Sequence, residues 1–279
     1  MAAVSFVLHP RVDPEDPDVT AARRRLEREG KSVEVVIRHP PPQSPRVLDL
    51  DDAELVVSFG GDGTFLYAAR AALKVGKPVL GVNLGRLGFL TWIDLHHAEA
   101  AVDAWLGGQA EIEERPVLDV CVRDRHAPAI NEMALLKDPA ANVIEVTILV
   151  DGILAGAFHA DGALLATATG STGYTLSAGG PLLDPRMHAM VFATLNAHNL
   201  ATRPLVVPGT SEVQLSVDEA TRLIVDGTDE IPLQPHDSVT GKLGGPPLRV
   251  LRAPGTADFY QQLRDKLRWG MPLVQERLR

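Results

Sequence analysis

The chain is poor in the residues that would staple it, hold a structural metal or anchor it in a bilayer. It has one cysteine, Cys121, in 279 residues, so no intrachain disulfide can form and no CxxC pair exists to hold zinc. Its nine histidines are scattered, His96-His97 on a predicted surface helix, and no HExxH spacing occurs. No apolar run approaches the roughly 18 residues that a membrane-spanning helix needs. A basic cluster is also missing: 27 Lys and Arg stand against 36 Asp and Glu, a formal charge of −9. Such a chain is a poor binder of duplex nucleic acid. It can still take small anions, for which backbone N–H groups and a metal ion would supply the local positive potential. The opening MAAVSFVLHPRVDPEDP has no basic stretch and breaks at Pro10, so no signal peptide is expected and the expected location is cytoplasmic.

What is present is an ordinary globular balance, 45% hydrophobic and 23% charged, long enough for one large or two medium domains. The first third alternates strand and helix. Strands are predicted at 4–10, 32–37, 54–59 and 78–83, and a charged helix at 18–30 closed by Gly30. A second helix follows residue 64, with Phe65, Leu66, Ala69, Ala72 and Leu73 on one stripe and Gly76 at its end. Residues 39–48 are proline-rich and read as a loop. Asp94 is placed to cap a helix over 96–106. This order implies parallel strands with crossover helices. From Pro116 the runs are short and β-like: 117–123, 144–150, 211–217, 222–226 and 247–252, several alternating with period two. The expected architecture is an α/β domain, 1–115 plus 253–279, and a mainly β, sandwich-like domain, 116–252, with one helix after residue 171. In the tail, Phe259, Leu263 and Leu267 recur every four residues and predict a helix returning to the first domain.

Gly60-Gly61-Asp62-Gly63-Thr64 lies between a predicted strand and helix. Glycines let an anion approach the main chain, and the N–H groups of a helix start favour phosphate. A carboxylate beside phosphate is costly unless it holds a metal or takes a proton, and phosphoryl transfer needs both jobs done. The alternative is a tight turn whose aspartate caps the following helix. Better-known phosphate loops are absent: there is no GxxxxGK[ST], and Thr240-Gly241-Lys242 is followed by leucine.

Two further segments are polar where function would want them. Asp161-Gly162 opens a stretch ending in Thr169-Gly170-Ser171-Thr172-Gly173-Tyr174-Thr175-Leu176-Ser177-Ala178-Gly179-Gly180-Pro181. Small hydroxylated residues suit a base edge and ribose hydroxyls, and Tyr174 can pack or bond. The alternative is a helix capped by Ser171 or Thr172 before a glycine-rich linker. In Asn131-Glu132, Asn can bond a base edge and Glu can accept bonds from ribose hydroxyls.

Together these segments resemble one family, the NAD kinases. The match comprises Gly60–Thr64, Asn83-Leu84-Gly85-Arg86-Leu87-Gly88-Phe89-Leu90, Asn131-Glu132, Asp161-Gly162 with Thr169–Pro181, His198 before Arg203-Pro204-Leu205, Asp226-Gly227 and Phe259–Gly270, in the family's order over roughly residues 55–270. The glycine loop alone is shared with diacylglycerol and sphingosine lipid kinases and, in a related form, with phosphofructokinases. The resemblance implies an N-terminal α/β domain and a C-terminal β-rich domain with the dinucleotide between them. It implies transfer of the terminal phosphoryl of ATP to the adenosine 2′-hydroxyl of NAD, with Mg²⁺ as the divalent ion. Asp62 would accept the hydroxyl's proton, and Gly60, Gly61, Gly63 and Thr64 would cradle phosphates. Asn131 and Glu132 would contact the adenosine end of NAD, Thr172, Gly173, Tyr174 and Ser177 would line the base and ribose site, Thr169, Thr175 and Leu176 would also bind NAD, and Asp161 would lie near the nicotinamide end. His159, Asn196 and Asn142 are further NAD-binding candidates, and Arg70 and Arg86 could add charge near the phosphates. A homodimer or homotetramer is implied, in which a neighbouring subunit can complete the site; no nucleic acid or membrane partner is expected.

Departures from the family pattern leave selectivity open. The chain has Thr167-Ala168-Thr169 where the middle residue is usually proline, Gly173 where alanine is usual, His159 where arginine is common, and Thr194–His198 without two usual prolines. NAD against NADH, and ATP against polyphosphate, stay undecided. Two other readings remain at this point: a non-catalytic NADP-binding regulator, and a lipid kinase sharing the glycine loop.

Overall fold

The computed structural model describes residues 3–38, 48, 50, 52–85 and 88–270. Arg86 and Leu87 of the 83–90 motif, and nearly all of the predicted 39–48 loop, lie outside the described residues. The chain divides into two compact units, Met1–Glu113 with Arg249–Arg279, and Glu114–Leu248.

The first unit begins with β1 (Ala3–Leu8), α1 (Pro17–Arg28), β2 (Ser32–Ile37), β3 (Ala53–Phe59), α2 (Asp62–Lys74), β4 (Val79–Asn83), the short β5 (Ile93–Asp94), α3 (Ala98–Leu106) and β6 (Glu111–Arg115). Asp16 caps α1 through its side chain, Pro17 sits in the first turn, and Gly30 takes the left-handed conformation beyond its end. The helix buries Val19, Ala22 and Leu26. β1 pairs in parallel with both β2 and β3, and β3 with β4. β3 and β4 are buried nearly throughout, as strands covered on both faces must be, and their sequences are correspondingly apolar. Asp94 makes no side-chain cap, and a single 3₁₀ turn over Leu95–His97 precedes α3.

The second unit is a pair of six-stranded antiparallel sheets. Its elements are β7 (Leu118–Val122), β8 (Arg125–Ala129), β9 (Glu132–Lys137), β10 (Ile144–Val150), β11 (Ile153–Ala160), β12 (Gly162–Thr167), α4 (Tyr174–Ser177), β13 (Ala189–Leu195), β14 (Leu205–Pro208), β15 (Val213–Val217), β16 (Thr221–Val225), β17 (Asp229–Leu233) and β18 (Ser238–Leu243). One sheet runs β11-β10-β15-β18-β7-β8 and the other β14-β13-β12-β9-β16-β17. Alternating residues of both sheets share one core, including Leu118, Val146 and Leu215 from the first and Met133, Leu165 and Phe192 from the second. Gly241 belongs to this core: a β-carbon there would meet Leu165 and Met133. The Thr240-Gly241-Lys242 run is thus a strand, not a phosphate loop.

The helix expected after residue 171 is only one turn. Gly173, at φ −93° and ψ −130°, separates a 3₁₀ turn over Thr169–Thr172 from α4, and Gly179 in the left-handed region stops α4. No side chain caps it; Ser171 Oγ instead bonds the Leu183 backbone.

The chain then returns to the first unit through β19 (Leu248–Arg252) and α5 (Phe259–Leu267). The expected β-rich span of 116–252 takes in β19, yet β19 pairs in parallel with β4, giving the sheet order β2-β1-β3-β4-β19-β6. A short strand's periodicity reports its faces and not its partner. In α5 the buried residues are Gln262 and Leu263, while Leu267 is exposed, so the inward stripe is rotated from the predicted one.

Candidate functional site

The glycine loop sits at the C-terminal edge of the parallel sheet, where α/β folds present their ligand loops. Gly60 N–H donates to Val82 O at 2.9 Å. A β-carbon on Gly60 would lie 2.5 Å from Thr64 Oγ1, so the loop's tight return onto α2 requires glycine there. Thr64 is buried, and its hydroxyl has no hydrogen-bond partner among the described residues.

Asp62 is the first residue of α2, but no side chain caps this helix. The Asp62 carboxylate instead accepts hydrogen bonds from the backbone N–H of Phe89, at 2.9 Å to Oδ2, and of Leu90, at 3.1 Å to Oδ1. The alternative of an aspartate serving only its own helix is thereby set aside. The 88–91 turn is itself braced. Thr91 Oγ1 accepts from Asn83 Nδ2 at 2.8 Å and from Gly88 N–H at 3.1 Å, and Asn83 Oδ1 accepts from Gly85 N–H at 2.8 Å.

Positive charge at this edge comes from side chains outside the glycine loop. Arg38, just after β2, lies so close to the loop that a β-carbon on Gly63 would be 3.2 Å from its Nη1. Its guanidinium stands 5.7 Å from the Tyr67 ring centroid; burial lowers its pKa and Tyr67 opposes the shift. His9 and Arg11 follow β1, and burial, then Arg11 and Arg38, hold the His9 imidazole below its usual range. Lys266 of α5 places Nζ 4.4 Å from the Phe89 ring centroid. Burial draws its pKa down and the charge of Asp62 works against that. A chain of net charge −9 therefore gathers cations here from three separate segments, beyond the backbone and metal expected to supply positive potential. Arg70 is eight residues along α2 from Asp62, about 12 Å along the axis.

In the second unit, Asn131 and Glu132 open β9 over a buried carboxylate. Asp226 accepts from the N–H groups of Ile130, Asn131 and Glu132 at 2.9, 2.7 and 3.2 Å, with its own backbone in the left-handed region at φ 47°. The loop after β12 folds over the same place: Thr167 N–H donates to Asn131 O at 2.8 Å, and a β-carbon on Gly170 would collide with that carbonyl. A β-carbon on Gly173 would lie 3.2 Å from Glu132 Oε2 and 3.5 Å from Asn131 Nδ2. Asn131, Glu132, Thr169, Thr172, Gly173 and the α4 residues Tyr174, Thr175, Leu176 and Ser177 thus fall in or beside one loop-covered patch. Among the described residues, Asn131 Oδ1, Glu132 Oε2, Thr169 Oγ1 and Thr175 Oγ1 are buried without hydrogen-bond partners; such atoms ask for a polar ligand. Tyr174 is half-exposed.

Glu132 is 8% exposed. Burial, reinforced by the charge of Asp226 and opposed by a backbone hydrogen bond from Tyr174, pushes its carboxyl up to about 8. At neutral pH it is chiefly the acid, so it can donate to a ribose or base as well as accept, where the sequence predicts an acceptor.

Asp161 lies elsewhere, at the far end of β12. Ala166 is opposite Glu132 and Gly162 opposite Leu136, which sets Asp161 about 17 Å along the strand from the Glu132 end. Lys137 Nζ approaches Asp161 Oδ1 at 2.7 Å and Asn196 Nδ2 donates to Oδ2 at 2.8 Å; these two partners hold its pKa below the usual range. Lys137 also donates to the Asn142 carbonyl at 2.8 Å, and His198 N–H donates to His159 O at 2.9 Å. Asp161, Asn196 and, through Lys137, Asn142 therefore meet apart from Asn131 and Glu132, while the His159 imidazole faces Glu145 at 3.7 Å.

Comparison with known proteins agrees with this geometry. Residues 43–110 match the model of the ATP-NAD kinase N-terminal domain, and residues 130–251 that of the ATP-NAD kinase C-terminal domain. The NAD kinase of Alcanivorax borkumensis is 40% identical over 224 residues, covering 77% of this chain and 74% of that protein. The NAD kinase of Legionella pneumophila strain Corby is 36% identical over 237 residues, 82% of this chain and 80% of its own. A crystal structure of an NAD kinase from Archaeoglobus fulgidus in complex with ATP superposes with TM-score 0.79 at 26% identity, covering 95% of this chain and 98% of that one. Yeast NADH kinase complexed with NADH gives TM-score 0.80 at 23% identity over 98% and 89% of the two chains, a likeness of fold. A glycine loop with an anchored aspartate, a buried Asn-Glu patch under a hydroxyl-rich turn, and these relatives lead to one conclusion: the chain belongs to the ATP-NAD kinase family.

Proposed function

We propose that Asp62 is the proton acceptor when this kinase transfers the terminal phosphoryl of ATP to the adenosine 2′-hydroxyl of NAD, giving NADP. The observation that carries the reading is the anchorage of Asp62. Two backbone N–H groups at 2.9 and 3.1 Å fix a carboxylate at the start of α2, beside N–H groups that favour phosphate. Aspartate is a weak base for a sugar hydroxyl. In a loose transition state the hydroxyl need not lose its proton early, so orientation dominates and the proton moves late to the Asp62 carboxylate.

Gly60, Gly61, Gly63 and Thr64 cradle the donor's phosphates in this reading, with Arg38 as an added cation. Asn131, Glu132 and the 169–177 turn take the adenosine, and Asp161 with Asn142, Asn196 and His159 serves the nicotinamide end. A divalent cation, magnesium in this reading, neutralises phosphate charge when bound. Among the described residues no three His, Cys, Asp or Glu side chains gather as a metal cage, which fits a cation that arrives on the donor and keeps several waters. The same reading makes the protein a homodimer or homotetramer. Its support is apolar surface on edge strands: Ile153 and Leu154 of β11, and Leu205 and Val206 of β14, are exposed. No described helix is long and apolar enough to cross a membrane, and a cytoplasmic setting, where ATP and NAD are at hand, is part of the proposal.

The test is direct. The protein is incubated with ATP, Mg²⁺ and NAD, and NADP is detected with an NADP-specific dehydrogenase. Asp62→Asn keeps the shape and removes the charge; kcat should fall by about 10² to 10⁴ while the KM for NAD stays within about twofold. Near-normal turnover in that variant would refute the assignment.

A further inference from the structure

One face of the C-terminal helix reaches the turn that holds Asp62. Gln262 is 1% exposed. A buried amide is costly unless bonded, and an apolar side chain would suit packing alone. Its Nε2 donates to the carbonyls of Gly88 at 3.1 Å and Thr91 at 3.5 Å, bracketing the two residues whose N–H groups hold Asp62. Lys266 follows one helical turn later, on the same face. It lies over the Phe89 ring at 4.4 Å from the centroid, and the negative charge of Asp62 favours its protonated form.

We propose that α5 is a positioning element of the catalytic centre: Gln262 fixes the 88–91 turn so that its N–H groups aim Asp62, and Lys266, seated on the Phe89 ring, holds the same turn from the same helix face. This rests on Asp62 being the acceptor. Neither residue is assigned contact with substrate; each acts through Asp62 or through the turn that orients it. The arrangement accounts for an amide and an ammonium on the inward face of a short helix where Leu263 alone would suffice to pack it.

The test uses the full-length protein and two readouts. Amide hydrogen exchange at Phe89 and Leu90 is compared between wild type, Gln262→Leu and Gln262→Asn, and steady-state kinetics are compared between wild type, Lys266→Met and Lys266→Arg. Gln262→Leu and Gln262→Asn should each speed exchange at both amides, since leucine has no amide group and that of asparagine is one methylene too short to bridge both carbonyls; the asparagine variant serves if the leucine variant does not fold. Lys266→Met should lower kcat about tenfold or more with both KM values within about twofold, as expected for a lost alignment, and Lys266→Arg should recover most of the rate. Unchanged exchange at Phe89 and Leu90 in either Gln262 variant overturns the proposal. So does a Lys266→Met variant with wild-type kcat, one altered only in the KM for ATP, or one that arginine fails to rescue. A wild-type protein forming no NADP would defeat the proposed reaction instead, and the exchange result would still decide the role of Gln262.

Discussion

The Asp62 carboxylate fills the space that a β-carbon on Gly88 would need: that carbon would lie 2.6 Å from the Asp62 carboxyl carbon and clash with Oδ1. Gly88→Ala should therefore displace the carboxylate and lower kcat by about 10², the scale of a roughly 1 Å misplacement. Because the substitution acts through Asp62, adding it to Asp62→Asn should cost little more than Asp62→Asn alone. Kinetics on the two single variants and the double variant check both statements.

Arg38 is the cation beside Gly63, and a charged hydrogen bond to phosphate is worth about 1.5–3 kcal/mol. Arg38→Met should raise the KM for ATP about tenfold and leave the KM for NAD nearly unchanged. Polyphosphate, if it serves as donor, should lose the same interaction. Initial rates with each substrate varied in turn would show the split.

Glu132 makes the folded protein less stable as pH rises. Its folded-state value of about 8 lies above the 4.5 of an unperturbed glutamate, so between these values the folded protein binds more protons than the unfolded chain. This contribution is fully present below about pH 4.5 and is lost as pH rises through about 8. Glu132→Gln has no such proton to lose. Relative to wild type the variant should gain on the order of 3 kcal/mol between pH 5 and 9. Urea unfolding at several pH values measures the difference.

If a neighbouring subunit completes the site, two defective proteins can repair each other. Asp62→Asn and Asp161→Asn homo-oligomers, mixed under conditions of subunit exchange, should regain part of the wild-type rate. Sedimentation of the wild-type protein should show a dimer or tetramer. A monomer, or a mixture no more active than its parts, would leave each chain to complete its own site.

Much of the architecture was legible in the sequence because burial writes itself into short segments. The run 54–59 is apolar since β3 is covered on both faces, and 144–150 alternates since β10 is covered on one. The glycine loop was legible for a different reason: Gly60 has no room for a side chain, so its identity is fixed locally. What could not be read are relationships made by the fold. Arg38 and Lys266 lie far apart in the chain; Arg38 stands in no recognisable pattern, and Lys266 lies inside the matched 259–270 tail with nothing in its spacing to mark it out. Asp226 appears in the sequence as part of an Asp-Gly pair, but its bonds to Ile130, Asn131 and Glu132 span more than ninety residues. Hydrophobicity marks packing and so does not find the inward face of α5, where the Gln262 amide nitrogen donates to the 88–91 turn.

The strand β19 and the helix α5 are made only after the whole antiparallel sandwich has been synthesised. On the ribosome, the nascent α/β unit must wait with its sheet order unfinished, and the brace on the 88–91 turn is among the last parts to exist. A chain halted near residue 248 would carry the glycine loop and its aspartate without Gln262 and Lys266, so competence for turnover should arrive late in translation.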